Sequence, residues 1–238
     1  MALPKIATKT YQTTLPHSKQ EIEYRPYLVK EERALLMANQ SEDENEMVNA
    51  VINLVDACII TDNILIKTMA NVDLEWAFLL IRSKSVGEEV RFQQKCSECD
   101  KEIDVLFDLQ NVSVVTGETH SLEYKLEDHN IGIRFTLPTS KTFLDLKGND
   151  DASQIFDLIE SCIYQVWDAD QTYTRGQDFT NKEEVSQFFD QLEASHLEKI
   201  YDIVFEQAPK LVQTFTEKCP HCNHEKEYEL EGITNFFG

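Results

Sequence analysis

Glycine, proline and basic side chains are all scarce in this sequence of 238 residues. Its 7 glycines and 6 prolines form neither a Gly-x-x-x-x-Gly-Lys nor a Gly-x-Gly-x-x-Gly motif, so the usual phosphate-binding loops are excluded. The 22 lysines and arginines are outnumbered by 43 acidic residues, for a formal charge of −21. Such a charge repels phosphate backbones and disfavours binding to nucleic acid. No apolar run is long enough to cross a bilayer, so we expect no contact with a membrane.

The motifs of common catalytic sites are also missing. No Gly-x-Ser-x-Gly or His-Glu-x-x-His sequence occurs, and we therefore expect no enzyme activity and no small-molecule substrate. The start, Met1–Lys5, opens no apolar segment typical of a signal peptide, which favours a reducing cytoplasm. A hydrophobic content of 42% is sufficient for a folded core, and the length allows one large domain or two small ones.

Two Cys-x-x-Cys pairs carry the most specific chemistry in the sequence. The pairs are Cys96 with Cys99 and Cys219 with Cys222, and 119 residues lie between them. Alternating apolar and polar residues precede and follow each pair, which predicts a β-hairpin with the cysteines at its tip, the arrangement of a zinc knuckle. Four thiolates complete a tetrahedral zinc site and leave no open coordination position. The sequence therefore predicts one structural zinc ion per chain.

Other interpretations of the cysteines are free thiols, disulfides and a redox centre. Disulfides are disfavoured in a reducing compartment. A redox Cys-x-x-Cys begins a helix after a strand, whereas both pairs here continue into strand-like sequence. His221 or His224 could replace one cysteine as a ligand. Cys58 and Cys162 lie in apolar helical stripes and are expected in the core.

The order of predicted elements indicates an α+β fold that is rich in helices, with short antiparallel hairpins. Helical spacing of apolar residues appears twice, and the two stripes are Met47, Val51, Leu54, Val55 and Cys58, then Ile155, Leu158, Ile159, Cys162 and Val166. Thr180 with Glu183 and Ser195 with Glu198 predict the starts of two further helices by capping boxes. Each half of the sequence places helices before a Cys-x-x-Cys hairpin, which is consistent with an internal duplication.

These elements divide the sequence into four consecutive segments, which we expect to form one compact unit. Residues 1–40 are an N-terminal hairpin and helix, and residues 41–110 are a first helical block with a Cys-x-x-Cys hairpin. Residues 111–150 are a short β connection, and residues 151–238 are a second helical block with a Cys-x-x-Cys hairpin.

Three stretches together resemble one known protein family. They are Leu15–Ser18 followed by Tyr24–Ala38, then Asp73–Glu88, and finally the second cysteine pair with Glu229–Phe237 after it. In this order and spacing they are similar to the T-even-type bacteriophage baseplate protein family, the baseplate hub subunit of contractile-tailed phages. The similarity extends over nearly the whole sequence.

The resemblance implies a structural or assembly protein that is made in the host cytoplasm and joins other tail and baseplate proteins in the virion. It supplies no catalytic residues, and by itself it does not imply a metal. Candidate contact residues are Arg25, Pro26 and Tyr27, together with Phe236 and Phe237, whose rings either pack on their own domain or anchor a partner. The alternative function is a zinc-ribbon adaptor that binds a host or phage protein associated with transcription or nucleic acid.

Overall fold

The computed structural model describes residues 6–41, 44–118, 120–126, 129–145 and 151–231. The α-helices are α1 (Val29–Gln40), α2 (Glu44–Cys58), α3 (Asn71–Val86), α4 (Ser140–Asp145), α5 (Asp151–Cys162), α6 (Lys182–Phe189) and α7 (Ala194–Tyr201). The strands are β1 (Tyr11–Thr14), β2 (Glu21–Tyr24), β3 (Glu89–Lys95), β4 (Glu102–Asp108), β5 (Ser113–Val115), β6 (Glu123–Leu126), β7 (Ile131–Phe135), β8 (Ile163–Trp167), β9 (Thr172–Thr174), β10 (Lys210–Lys218) and β11 (Glu225–Glu231).

The α+β class predicted from the sequence is confirmed, but the helix content was overstated. The strands form four antiparallel sheets, with the orders β1-β2, β3-β4, β11-β10-β5 and β6-β7-β8-β9. None of the helices in the described ranges is long and apolar enough to span a membrane.

The chain divides into two compact units that are not consecutive in sequence. The first unit comprises Met1–Ile66, Val72–Val115 and Lys210–Gly238, and the second comprises Lys67–Asn71 and Thr116–Pro209. The last hairpin belongs to the first unit because β10 pairs with β5. The four consecutive segments expected from the sequence stay a prediction. That the whole chain forms one compact unit stays a prediction.

Helices α2 and α3 of the first unit bury most of their apolar residues. In α2 the stripe of Val51, Leu54, Val55 and Cys58 is buried. In α3 the apolar residues are buried on several sides, as the nearly continuous apolar run in its middle requires. Both helices are thus stabilised chiefly by packing rather than by intrinsic propensity.

A buried carboxylate joins the first hairpin to α3. Asp73, fully buried in the first turn of α3, accepts hydrogen bonds from the backbone N–H groups of His17 at 2.7 Å and Ser18 at 3.0 Å. Both donors lie in the turn between β1 and β2. Charge-assisted bonds of this kind are stronger than neutral ones, so Asp73 holds the turn in place.

The two Cys-x-x-Cys hairpins, β3–β4 and β10–β11, also lie in the first unit. Their aromatic side chains form a continuous stack, in which the Phe107 and Phe215 rings are 6.0 Å apart and the Phe215 and Tyr228 rings are 5.4 Å apart. Offset stacking at such distances adds about 0.5–1.5 kcal/mol per pair beyond the burial of area. The stack therefore packs strand β4 against β10, and Tyr228 of β11 extends it within the second hairpin.

The second unit packs helices against the sheet β6-β7-β8-β9. Its core consists of buried side chains from both layers, including Ile133, Phe135, Ile159, Ile163, Ile200 and Val204. Gly132 of β7 lies directly beneath the ring of Trp167, its partner in β8, where a Cβ atom would collide with the ring. A larger residue at this position would displace the indole.

Three details of the second half differ from the expectations. Helix α5 ends at Cys162, and Val166 lies in strand β8 rather than in the helical stripe, because Ile163–Trp167 pairs with β7. The N-caps of α6 and α7 are Asn181 and Glu193, so both predicted capping boxes are wrong by one or two residues. Residues 59–88, between α2 and β3, are all described and contain one α-helix, α3, whereas the strands β8 and β9 and the helices α6 and α7 all lie between α5 and β10. The similarity of the two halves is clearest in the hairpins.

We expect Asp73→Ala to lower the free energy of unfolding by about 2–4 kcal/mol, because two backbone donors lose a charged acceptor in a buried position. Chemical denaturation measures this change. Asp56→Ala is the control: Asp56 lies exposed on α2, and surface substitutions usually stay within about 0.5 kcal/mol. Equal losses for the two variants would show that Asp73 does not anchor the turn.

Candidate metal centre

The first cysteine pair lies in a tight turn at the tip of the β3–β4 hairpin. The last paired residues of the two strands are Lys95 and Glu102, so residues 96–101 form the turn. The Cys96 N–H donates to the Lys101 carbonyl at 2.9 Å, and the Asp100 N–H donates to the Cys96 carbonyl at 3.0 Å. Asp100 has a φ of 55°, a left-handed conformation that closes the turn and returns the chain to the strand.

The second cysteine pair repeats this geometry at the tip of the β10–β11 hairpin. The Cys219 N–H donates to the His224 carbonyl at 2.8 Å, and the Asn223 N–H donates to the Cys219 carbonyl at 2.9 Å. Asn223 has a φ of 61°, as Asp100 does at the equivalent place. Both pairs are therefore hairpin knuckles, and neither begins a helix as a redox Cys-x-x-Cys does.

The structure brings all four cysteine sulfurs of the two knuckles together. Their Sγ atoms lie within 4.8 Å of one another. The Cys96 and Cys222 sulfurs are 3.7 Å apart, and so are those of Cys99 and Cys219. A tetrahedral site with metal–sulfur bonds of about 2.3 Å has sulfur–sulfur edges of about 3.8 Å, whereas a disulfide is about 2.05 Å long. The spacing fits four ligands around one metal ion.

The first cysteine of each pair is buried and has a lowered pKa. Hydrogen bonds from the backbone N–H groups of Glu98 and Cys99 lower the pKa of Cys96. For Cys219, burial alone would raise the pKa, but N–H groups of its own turn and the neighbouring thiols outweigh burial and lower it to about 7. The backbone thus favours thiolates at the two positions that are removed from water.

The second cysteine of each pair has a raised pKa. The His224 N–H favours the Cys222 thiolate, but burial and the three other sulfurs outweigh it and raise the pKa of Cys222 to about 12. At Cys99 the Lys101 N–H is likewise outweighed, and the pKa is raised. Four thiolates this close repel one another, and a divalent cation at their centre removes that repulsion. The donor set fits a thiolate-binding metal with no open coordination position.

The remaining cysteines and the nearby histidines lie outside this cluster. Burial raises the pKa of Cys58 to about 11 and that of Cys162 to about 12, as expected for inert core thiols. Among the described residues, the group that could hold a metal contains cysteines alone. His221 is exposed, and His224 contributes its backbone carbonyl to the turn.

The candidate contact residue Arg25 is held by its own unit. Its guanidinium donates to the Ala57 carbonyl at 2.8 Å and to the buried carboxylate of Glu31 at 3.0 Å. Burial raises the pKa of Glu31, but hydrogen bonds from Arg25, the Leu28 N–H and Lys30 outweigh it and hold the pKa below its usual value. The Glu31 carboxylate is therefore charged at neutral pH and fixes the guanidinium.

The other candidate contact residues are placed only in part. Pro26 and Tyr27 are half-buried, and the Tyr27 N–H donates to the Ser85 hydroxyl at 2.9 Å. Phe236 and Phe237 lie outside the described residues.

The aromatic stack beneath the knuckles was not predicted. Its members occupy strand positions that face the same side as buried neighbours, such as Ile103 and Val105 in β4. The alternating pattern of β4 contains this signal, because Ile103, Val105 and Phe107 recur at every second residue. The pattern identifies a buried face, but it does not identify the second hairpin that covers this face.

A family model described as T4 bacteriophage base plate protein matches residues 8–238. No curated protein and no solved structure matches this chain. The matched range contains both knuckles and every candidate contact residue.

We expect reduced, purified protein to contain one tetrahedral metal ion per chain. Elemental analysis gives the stoichiometry, and replacement by Co²⁺ gives the absorption of a four-thiolate site. Cys99→Ser should weaken metal binding at least about tenfold, since loss of a supporting contact alone costs about 10–100-fold. If the free metal concentration is about a thousand times the Kd, removal of the metal lowers the free energy of unfolding by about 4 kcal/mol.

Cys58→Ser and Cys162→Ser are the controls for this experiment, because both thiols lie outside the cluster. Either variant should keep the full metal content. Reduced protein with no metal, or with two ions per chain, would contradict the prediction.

Proposed function

The chain belongs to the family of T4 bacteriophage base plate proteins, and from this membership we propose that it is a hub subunit of a contractile-tail baseplate. It acts as a structural and assembly protein rather than as an enzyme. The observation that carries the proposal is the family match over residues 8–238, which is nearly the whole chain. The match confirms the resemblance to this family. The more specific role as a hub subunit is our proposal.

We infer that the metal of the four-cysteine cluster is zinc and that its role is structural. The support is the set of four sulfurs, whose 3.7 Å separations suit tetrahedral thiolate coordination. Bound there by Cys96, Cys99, Cys219 and Cys222, zinc joins the β3–β4 hairpin to the β10–β11 hairpin. The same elemental analysis that counts the metal identifies it.

The proposed partners are other tail and baseplate proteins, met first in the host cytoplasm and then in the virion. A formal charge of −21 favours partners with basic surfaces and opposes contact with nucleic acid. We propose no membrane and no small-molecule partner. A zinc-ribbon adaptor associated with nucleic acid is less well supported, because the family match already accounts for nearly all of the chain.

We propose that Arg25, Pro26 and Tyr27 belong to one contact surface with the exposed side of α1. Val29 is 75% exposed and Met37 is 66% exposed, although both are apolar. The internal bonds of Arg25 fix the chain where it enters this helix. Exposed apolar side chains next to a fixed junction favour contact with a protein rather than with water. Phe236 and Phe237 are proposed as a second contact.

A phage that lacks this chain should make normal heads but no complete baseplates. The reason is that a hub component is required before its neighbours can join. Electron microscopy of lysates measures both structures, and expression of the wild-type chain in trans should restore the baseplates. Complete, infective tails without the chain would refute the proposed function.

Deletion of Phe236–Gly238 should weaken incorporation into baseplates while metal content and solubility stay nearly unchanged. Each ring, if fully buried in a partner, contributes about 1.5–3 kcal/mol. Pull-down of assembled baseplates measures incorporation, and deletion of Gly238 alone is the matched control. If the shortened protein precipitates or no longer unfolds cooperatively, the rings belong to the core of this chain instead.

A further inference from the structure

A small cavity opens in the second unit between the sheet and α6, far in sequence from the cysteines. Its volume is 240 Å³, below the roughly 300–1,000 Å³ of sites for small-molecule ligands. Residues of β7, β8, β9 and α6 line it. A cavity of this size suits one side chain of another protein better than a cofactor.

The lining combines aromatic and aliphatic groups with carboxylates. It includes the aromatic residues Tyr173, Phe179 and Phe188 and the acidic residues Asp168, Asp178 and Glu184. No lysine or arginine is among the described residues that line it. All three acidic residues are exposed, so an occupant that combines apolar or planar surface with a positive charge suits this lining.

Two arginines lie over rings of the lining, Arg134 over Trp167 and Arg175 over Phe179, and both are already engaged by their own unit. Arg175 lies 5.6 Å from the centre of the Phe179 ring, but its guanidinium donates to the carbonyls of Ile163 and Glu160, each at 2.6 Å. It lines a different cavity, next to Glu160 and Lys182. The carboxylates of the first cavity are thus not neutralised by an arginine in its lining.

Two of the three carboxylates are held in place by backbone donors. Asp168 accepts from the N–H groups of Asp170 at 2.8 Å and Gln171 at 2.9 Å, and these bonds lower its pKa. Asp178 accepts from the Thr174 N–H at 2.8 Å. Carboxylates fixed in this way need little reordering when a cation arrives, which reduces the entropic cost of binding.

We propose that this cavity binds an arginine side chain of a neighbouring protein. Guanidinium is planar and weakly hydrated, stacks on aromatic rings and donates two parallel hydrogen bonds to a carboxylate. Its stem of three methylene groups suits the apolar part of the lining. Lysine matches less well because its ammonium is a compact and strongly hydrated charge.

That the neighbour is a baseplate protein rests on the proposed function, but the binding of an arginine side chain does not. The test therefore uses the isolated full chain and a small probe. If the probe does not bind, the arginine proposal fails and the proposed baseplate function still stands. If the phage without this chain makes complete tails, the proposed function fails and the arginine proposal still stands.

The probe is Nα-acetyl-arginine methylamide, with the neutral citrulline analogue as its isostere and the lysine analogue as a second comparison. Nuclear magnetic resonance titration follows the signals of Tyr173, Val185 and Phe188. We expect saturable binding of the arginine probe, at least about tenfold tighter than either analogue, a ratio that corresponds to about 1.4 kcal/mol. Added salt should weaken it.

Glu184→Gln and Glu183→Gln form a matched pair of variants. Both glutamates are exposed and lie in the first turn of α6, so each change removes the same favourable interaction with the helix dipole. Only Glu184 lines the cavity. We expect Glu184→Gln to weaken binding of the arginine probe about fivefold or more and Glu183→Gln to weaken it less than twofold. The reason is that a direct hydrogen bond to a charged group stabilises a complex more than a distant charge does. Phe188→Leu should also weaken binding, because it keeps an apolar side chain but removes the ring.

Three results would overturn the proposal. The first is equal loss in both glutamate variants, which would mean attraction to the net charge of the protein alone. The second is binding of the citrulline or lysine analogue as tight as that of arginine. The third is a shift of signals confined to residues outside the cavity.

Discussion

The meeting of two hairpins that are distant in sequence is the constraint on which the first unit depends. Bringing Cys99 to Cys219 closes a loop of 119 residues, for which chain entropy costs about 4 kcal/mol by the logarithmic rule, apart from a constant term. The Phe107–Phe215 pair, which joins the two hairpins, returns about 0.5–1.5 kcal/mol beyond the burial of area. A metal bound by the four cysteines would act on this same junction, because each hairpin contributes two of them.

The fold was predictable where local spacing and tertiary packing favour the same structure. Helix α2 carries apolar residues at helical intervals over about three turns, from Met47 to Cys58, and a periodic segment of this length identifies a helix. The segment Ile163–Trp167 was not predictable in this way, because five apolar-rich residues suit either a helix or a strand. It forms a strand because it pairs with β7, about 30 residues earlier, and the residues of the segment itself do not predict this pairing.

The candidate metal centre was predictable because its ligands are chemically distinctive. A Cys-x-x-Cys pair between two alternating segments identifies a knuckle, and two pairs identify a complete ligand set. The acidic aromatic cavity offers no such signal. Its exposed carboxylates and half-buried rings are spread over residues 168–188, in strands, loops and α6. Only the packing of α6 on the sheet makes Glu184 and Tyr173 neighbours, so sequence spacing could not indicate a site there.

The interrupted first unit also sets an order of events during synthesis. Nearly all of the second unit is translated between the two knuckles, so its residues leave the ribosome while the first unit still lacks β10 and β11. At about 5–20 residues per second, the 119 intervening residues take roughly 6–24 s. For that time Cys96 and Cys99 supply only half of a coordination sphere. A nascent chain that stops before Cys219 therefore contains the complete sequence of the second unit and an unfinished first one.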